Sequence, residues 1–305
     1  LNTNKIRWFL DQAKAKRSFP ADKLSSVKTA LVHLNLLQDN KPTNAAICLF
    51  GKNVKKFHLQ AEVKCIQFYG TEIEKPFASY KIYGGNLFDQ IDQAITFVVG
   101  CLRLPVVQQR GTAQVSRPLE IPEFVISEAV VNAVAHRDYN SSGAVQVMVF
   151  SNRIEIWNPG RLSPQLTIAG LKKPHTSYPY NPLVAEILYL ADYIQKAGSG
   201  TVEMIKQCRA SKIPDPRFTC LDKEFRVSVE RKPVIIKSSE KGSEKSSEKI
   251  LSIIKINPQI NALGIAGQMG LSSRAVEKNI AKLKRQGLLR RIGSARGGYW
   301  KVLKK

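Results

Sequence analysis

Residues 237–249 read KSSEKGSEKSSEK and hold no apolar side chain. A run of this kind has nothing to bury against the entropy of ordering it, so it is expected to be a flexible tether. It constrains the rest of the chain: whatever folds must do so as a large body before it and a small module after it. The boundaries expected on this basis are an α/β region over 1–115, either separate or an extension of the next domain, a domain over 116–232, the linker 233–249 and a C-terminal domain over 250–305.

The body has a mixed texture. Apolar residues at helical spacing predict helices over 6–16, 25–37, 86–102, 122–136, 182–190 and 201–209. Short apolar or alternating runs predict strands over 45–50, 63–69 and 225–229. The alternating runs 144–150 and 153–157 flank Ser151-Asn152 and predict a hairpin. The fold class expected is α+β. No apolar run approaches the roughly 20 residues that span a bilayer, and no signal-like pattern opens the chain. The five cysteines are scattered with no C-x-x-C pair, which points away from disulfides and zinc and towards a reducing compartment, the cytoplasm.

Charge is the unusual bulk property. The chain carries +23 at pH 7, which favours polyanions such as nucleic acid; the plainer alternative is a solvated basic surface. Residues 250–305 concentrate it, with twelve Lys or Arg against the single acid Glu277. Their pattern predicts helices over 251–256 and near 263–269. A third helix, capped by Ser272 or Ser273, runs to about Gln286, and strands follow over 288–292 and 299–303. This is a helix-turn-helix with a wing. If Val276, Ile280 and Leu283 face inward, then Ser273, Arg274, Lys278, Lys282 and Arg285 can face a major groove of double-stranded DNA. Arg290, Arg291, Arg296 and Lys301 can meet phosphates or the minor groove from the wing. The module resembles the winged helices of bacterial transcriptional regulators, including the Gly-Gly-Tyr-Trp ending at Trp300. A winged helix used for protein contacts is the alternative.

In the body, Glu128, Asn132 and His136 fall on one face of a helix. On spacing alone this is usually a solvated face. The stretch SEAVVNAVAHRDY at 127–139 is followed by Asn158-Pro159-Gly160, then SYPYNP at 177–182, then Gly198-Ser199-Gly200-Thr201. This ordered set resembles the RecG-like C-terminal branch of the GHKL (Bergerat-fold) ATPases, over roughly 25–229. The resemblance implies a GHKL-like α/β sandwich that binds ATP and Mg²⁺. Glu128 would activate water and Asn132 would ligate Mg²⁺, with His136 beside them. Gly198, Gly200 and Thr201 would receive phosphates at a helix start. Asn158 and Gly160 match the motif in which an acid usually binds the adenine amino group; Asn accepts the same bond without the charge. Tyr180 stands where the branch commonly has Arg, which removes one phosphate contact.

The helicase chemistry attached to the RecG name needs a Walker A loop, and G-x-x-x-x-G-K-[ST] occurs nowhere. Relatives in this branch often carry a Schlafen/AlbA-type domain ahead of the segment that begins here. The leading expectation is a nucleotide-responsive transcriptional regulator, working as a homodimer on a two-fold related site and unconnected with membranes. The alternatives are a slow Mg-dependent ATPase and a degenerate scaffold that binds no nucleotide.

Overall fold

The computed structural model describes residues 1–102, 107–108, 115–116, 119–195, 198–231, 242–293 and 298–303. The chain divides into two compact units: Leu1–Ile66, Tyr80–Val149 and Ile154–Arg231 form one, and Gln67–Ser79, Phe150–Arg153 and Lys232–Lys305 form the other.

The first unit opens with α1 (Thr3–Arg17) and α2 (Val27–His33). A two-residue ribbon follows, β1 (Leu37–Gln38) with β2 (Lys41–Pro42). Next comes α3 (Asn44–Phe50), where a strand was expected from the sequence. A six-residue apolar run fits either period; here the Thr43 hydroxyl accepts the Ala46 N–H and starts a helix. The strands β3 (Val63–Gln67) and β4 (Ser79–Tyr83) lead to α4 (Leu87–Cys101), capped by Asn86. A short ribbon pairs β5 (Val107–Gln108) with β6 (Val115–Ser116). Then come α5 (Glu123–Ala135), β7 (Val145–Val149), β8 (Arg153–Pro159), α6 (Pro182–Leu190), α7 (Gly200–Ala210), β9 (Arg217–Leu221) and β10 (Glu224–Glu230).

Six of these strands form one sheet in the order β4-β3-β7-β8-β10-β9. The expected hairpin is present: β7 and β8 are antiparallel, with Gln146 opposite Trp157 and Val149 opposite Ile154. Helices α4 and α5 pack on each other and on β7. The resulting arrangement is a mixed α+β layer of sheet and helices. Near the N-terminus, Phe9, Phe50 and Phe88 are fully buried and meet with centroid distances of 5.5–6.4 Å.

The second unit contains α8 (Gly242–Ile256), α9 (Ala262–Met269), α10 (Ser273–Arg285) and the antiparallel pair β11 (Leu289–Ile292) with β12 (Tyr299–Val302). Its core is Ile250, Ile254, Ile260, Ile265, Met269, Val276, Ile280, Leu283 and Leu289. The Trp300 indole donates to the Ile260 carbonyl at 3.0 Å, fixing the ribbon to the turn before α9. The tether expectation is corrected over 242–249, which are helical. Ile250 and Ile254 anchor α8 in the core of this unit, and extending a helix backwards through Glu, Lys and Ser costs little once a turn exists. Residues 233–241 of that linker lie outside the described residues.

Where the body ends, Arg231 and Glu120 form an ion pair at 2.6 Å with side chains only 5% and 3% exposed. Arg231 also donates to the Cys101 carbonyl at 3.4 Å. Removing one partner takes an ion-pair contact from a charge held in a dry environment. The variant Arg231→Met should therefore lose about 3–5 kcal/mol in a denaturant titration. The double variant Arg231→Met with Glu120→Leu should recover most of that loss, and additive losses would contradict a paired arrangement.

Candidate functional site

Helix α5 is apolar on nearly every side: Val125, Ile126, Ala129, Val130, Val131, Ala133, Val134 and Ala135 are all buried. The strip left over carries Glu128, Asn132 and, at the C-cap, His136. These three line one cavity of about 140 Å³ together with Asn158, Gly198, Gly200 and Thr201. Gly160 is not itself a lining residue. It sits directly behind the wall, where a Cβ would stand 2.8 Å from the His136 carbonyl oxygen and 3.1 Å from Asn158 Nδ2. The spatial neighbourhood thus gathers residues from α5, β8 and the turn before α7.

The Asn132 amide donates to Glu128 Oε1 at 2.9 Å, which leaves its oxygen as the atom available to a cation. Burial raises the Glu128 carboxyl above its ordinary range, and the Asn132 hydrogen bond opposes this in part. Burial lowers His136, which is therefore neutral near pH 7. The Tyr180 N–H approaches its Nδ1 at 3.4 Å, so Nδ1 is the acceptor and Nε2 bears the hydrogen.

Asn158, on β8, is 4% exposed, and its Oδ1 has no hydrogen-bond partner among the described residues. Ile156, Phe218, Phe225, Val227 and Met204 form the apolar side of the cavity.

The G-S-G-T turn needs both of its glycines. Gly198 has φ +58°, and a Cβ there would collide with the His175 carbonyl; a Cβ at Gly200 would collide with Glu128 Oε1. The carboxylate of Glu128 thus lies against the first residue of α7, where backbone N–H groups are not yet paired along the helix. Thr201 Oγ1 donates to the Leu171 carbonyl at 2.7 Å and meets His175 Nε2 at 3.3 Å. Its hydroxyl is spent on holding residues 171–175. At the other end of that segment, Asn181 Nδ2 donates to the carbonyls of Ala135 and Arg137 at 2.9 and 2.8 Å, capping α5.

Several lining residues were not singled out from the sequence: Arg161, His175, Tyr178 and Gln195. Arg161 directly follows the Asn-Pro-Gly motif, and this was the one signal that could have marked it. Arg137, in contrast, belongs to the quoted motif but faces away from this chemistry. It is 2% exposed, donates to the Ser141 and Gly143 carbonyls at 3.2 and 2.6 Å, and lies 4.8 Å from the Tyr139 ring centroid. Among the described residues no group of three or more His, Cys, Asp or Glu is arranged to hold a metal. A Mg²⁺ held by one amide oxygen and by phosphates of its nucleotide needs no such group.

In the second unit, Ser272 caps α10 by accepting the Ala275 N–H, and Ser273 is the first helical residue. Arg274, Lys278 and Arg285 are exposed and Lys282 is half-buried, on the sides away from Val276, Ile280 and Leu283. Arg290 and Lys301 are exposed and directly opposite in the β11–β12 register. Arg291 lies 4.8 Å from the Trp300 ring centroid. Arg296 lies outside the described residues.

Residues 143–229 match the family described as "Putative ATP-dependent DNA helicase recG C-terminal". This segment is of ATPase-like type. The match takes in Asn158, Gly160 and the G-S-G-T turn, and begins after the Glu128–Asn132–His136 helix. No curated protein matches the sequence. Among solved structures, the DIP2311 protein from Corynebacterium diphtheriae is similar at TM-score 0.58 and 16% identity. The alignment covers 96% of this chain but only 60% of that one, so the chain spans well under the full length of this neighbour. At that identity the likeness concerns the fold. No helix among the described residues is long and apolar enough to cross a membrane.

A carboxyl raised by burial binds its proton more tightly folded than unfolded. Its ionisation therefore weakens the fold as pH rises through the ordinary carboxylate range, about 4, and the deficit is complete above the raised value. Glu128→Gln, which keeps shape and removes the charge, should melt at a higher temperature than the native chain at pH 8. The gap should close below about pH 4 in paired thermal melts; equal melting temperatures at pH 8 would count against a buried, ionised Glu128.

Proposed function

We propose that the protein is a DNA-binding transcriptional regulator whose ATPase-like domain binds Mg-ATP, the nucleotide modulating its conformation or dimerisation. The observation that carries the DNA half is the placement of Arg290 opposite Lys301. Like charges facing each other across a ribbon destabilise it, and a polyanion laid along that face turns the repulsion into attraction. Arg274, Lys278, Lys282 and Arg285 extend the cationic surface along α10, and Ser273 stands at its first turn. On this reading the second unit is a winged helix, with α10 in the major groove and the ribbon on the phosphates. Two such modules in a homodimer would read a two-fold related site.

The nucleotide half rests on the pocket. An ATPase-like family match, an amide oxygen on α5 open to Mg²⁺, and a glycine turn opening α7 agree with one another. The buried, unpartnered Asn158 Oδ1 fits a base-binding wall that awaits a donor. Glu128 would orient water, and a carboxyl with raised proton affinity beside the pocket favours a second reading, a slow Mg-dependent ATPase.

Calorimetry on the full chain tests the nucleotide half. Mg-ATP should bind the native protein, and both removal of Mg²⁺ and Asn132→Ala should weaken binding at least tenfold; absence of binding to the native chain would leave the body as a scaffold. Glu128→Gln should spare binding and abolish any turnover. For the DNA half, anisotropy with a random-sequence duplex should show binding that weakens steeply from 50 to 200 mM salt. The double variant Lys278→Ala, Arg290→Ala should lower the log–log salt slope by about one for each phosphate no longer neutralised. Salt-independent binding, or none, would rule the DNA reading out.

A further inference from the structure

Asn158 departs from the acid usual at its motif position, and its environment gives that departure a chemical meaning. A carboxylate offers only acceptors. An amide offers an acceptor on one side and a donor on the other, and a half-turn about its last torsion, which is broad and two-fold, exchanges them. Oδ1 is buried, with no partner among the described residues, in the wall of the cavity. Gly160 lies beside the amide; a Cβ there would stand 3.1 Å from Nδ2, and its absence leaves the amide room to turn. Beside it on the same sheet, Ile156 of β8, Phe225 and Val227 of β10 and Phe218 of β9 make the adjoining surface of the cavity apolar and suited to a flat heterocycle.

Adenine and guanine differ at ring position 6: adenine presents an amino donor there and guanine a carbonyl acceptor. An acid suits only the first. We infer that Asn158 reads position 6 of a purine with either side of its amide, so that the site accepts guanine nucleotides about as well as adenine nucleotides. The inference rests on the nucleotide-binding reading proposed above and broadens its ligand class from ATP to purine triphosphates.

Competition binding on the full chain with Mg²⁺ tests it, using ATP, GTP and purine riboside triphosphate, which carries only hydrogen at position 6. ATP and GTP should bind within tenfold of each other. Purine riboside triphosphate should bind at least tenfold more weakly than both, because it leaves the amide without its partner at position 6. In Asn158→Leu, ATP and GTP should fall to the level of purine riboside triphosphate. A preference of more than tenfold between ATP and GTP, or equal binding of the analogue, overturns the inference and leaves the nucleotide reading standing. Binding of none of the three by the native chain overturns both. The native-chain comparison is decisive even if the leucine variant fails to fold.

Discussion

The candidate site depends on the way α5 is packed. A helix whose buried residues run almost all the way round has one narrow strip left for polar groups, and that strip holds Glu128, Asn132 and His136. Their grouping follows from the apolar residues around them, which fix the rotation of the helix about its axis. Turning α5 by one residue would bury a carboxylate in the core and send a valine into the cavity. The hydrogen bonds from Asn181 to the carbonyls at the end of α5 fix its other degree of freedom, sliding along the axis.

The parts of the fold that could be read from the sequence are those where one strong local pattern decides. Helix α4 shows its period and its Asn86 cap, and β7–β8 alternates about an obvious turn. The two edge strands of the sheet, β4 and β9, were not anticipated. Edge strands lack a neighbour on one side, and the half-buried Tyr83 and exposed Lys81 of β4 give no clean alternation. At α3 the deciding group was a single threonine hydroxyl outside the apolar run. At α8 it was the hydrophobic anchor after the polar segment, which a composition argument over 237–249 does not include.

The site was legible in a similar way. Glu128 and Asn132 share α5, but Asn158 lies on β8 and Gly198 and Gly200 at the start of α7, and no spacing argument joins the three elements; the ordered motifs, taken together, did so. The sequence did not reveal what each glycine makes room for. Gly200 admits a carboxylate and Gly198 a backbone carbonyl, and both are tertiary facts. Nor did it reveal that the Thr201 hydroxyl is already committed, or that Asn158 carries a buried oxygen without a partner. Arg161, His175, Tyr178 and Gln195 reach the cavity from loops, where residue type carries little information about direction.

The segment between Leu171 and Asn181 is fastened unequally. At its far end one amide makes two bonds, to the last carbonyl of α5 and to that of Arg137 just beyond it; at its near end the Thr201 hydroxyl grips the carbonyl of the buried Leu171, with a histidine ring alongside. Mechanically this is a strap with a rivet at one end and a snap fastener at the other. The two fastenings belong to different helices, one to the end of α5 and the other to the first turn of α7, so the strap ties together the two helices that bring Glu128 and Gly200 to the cavity.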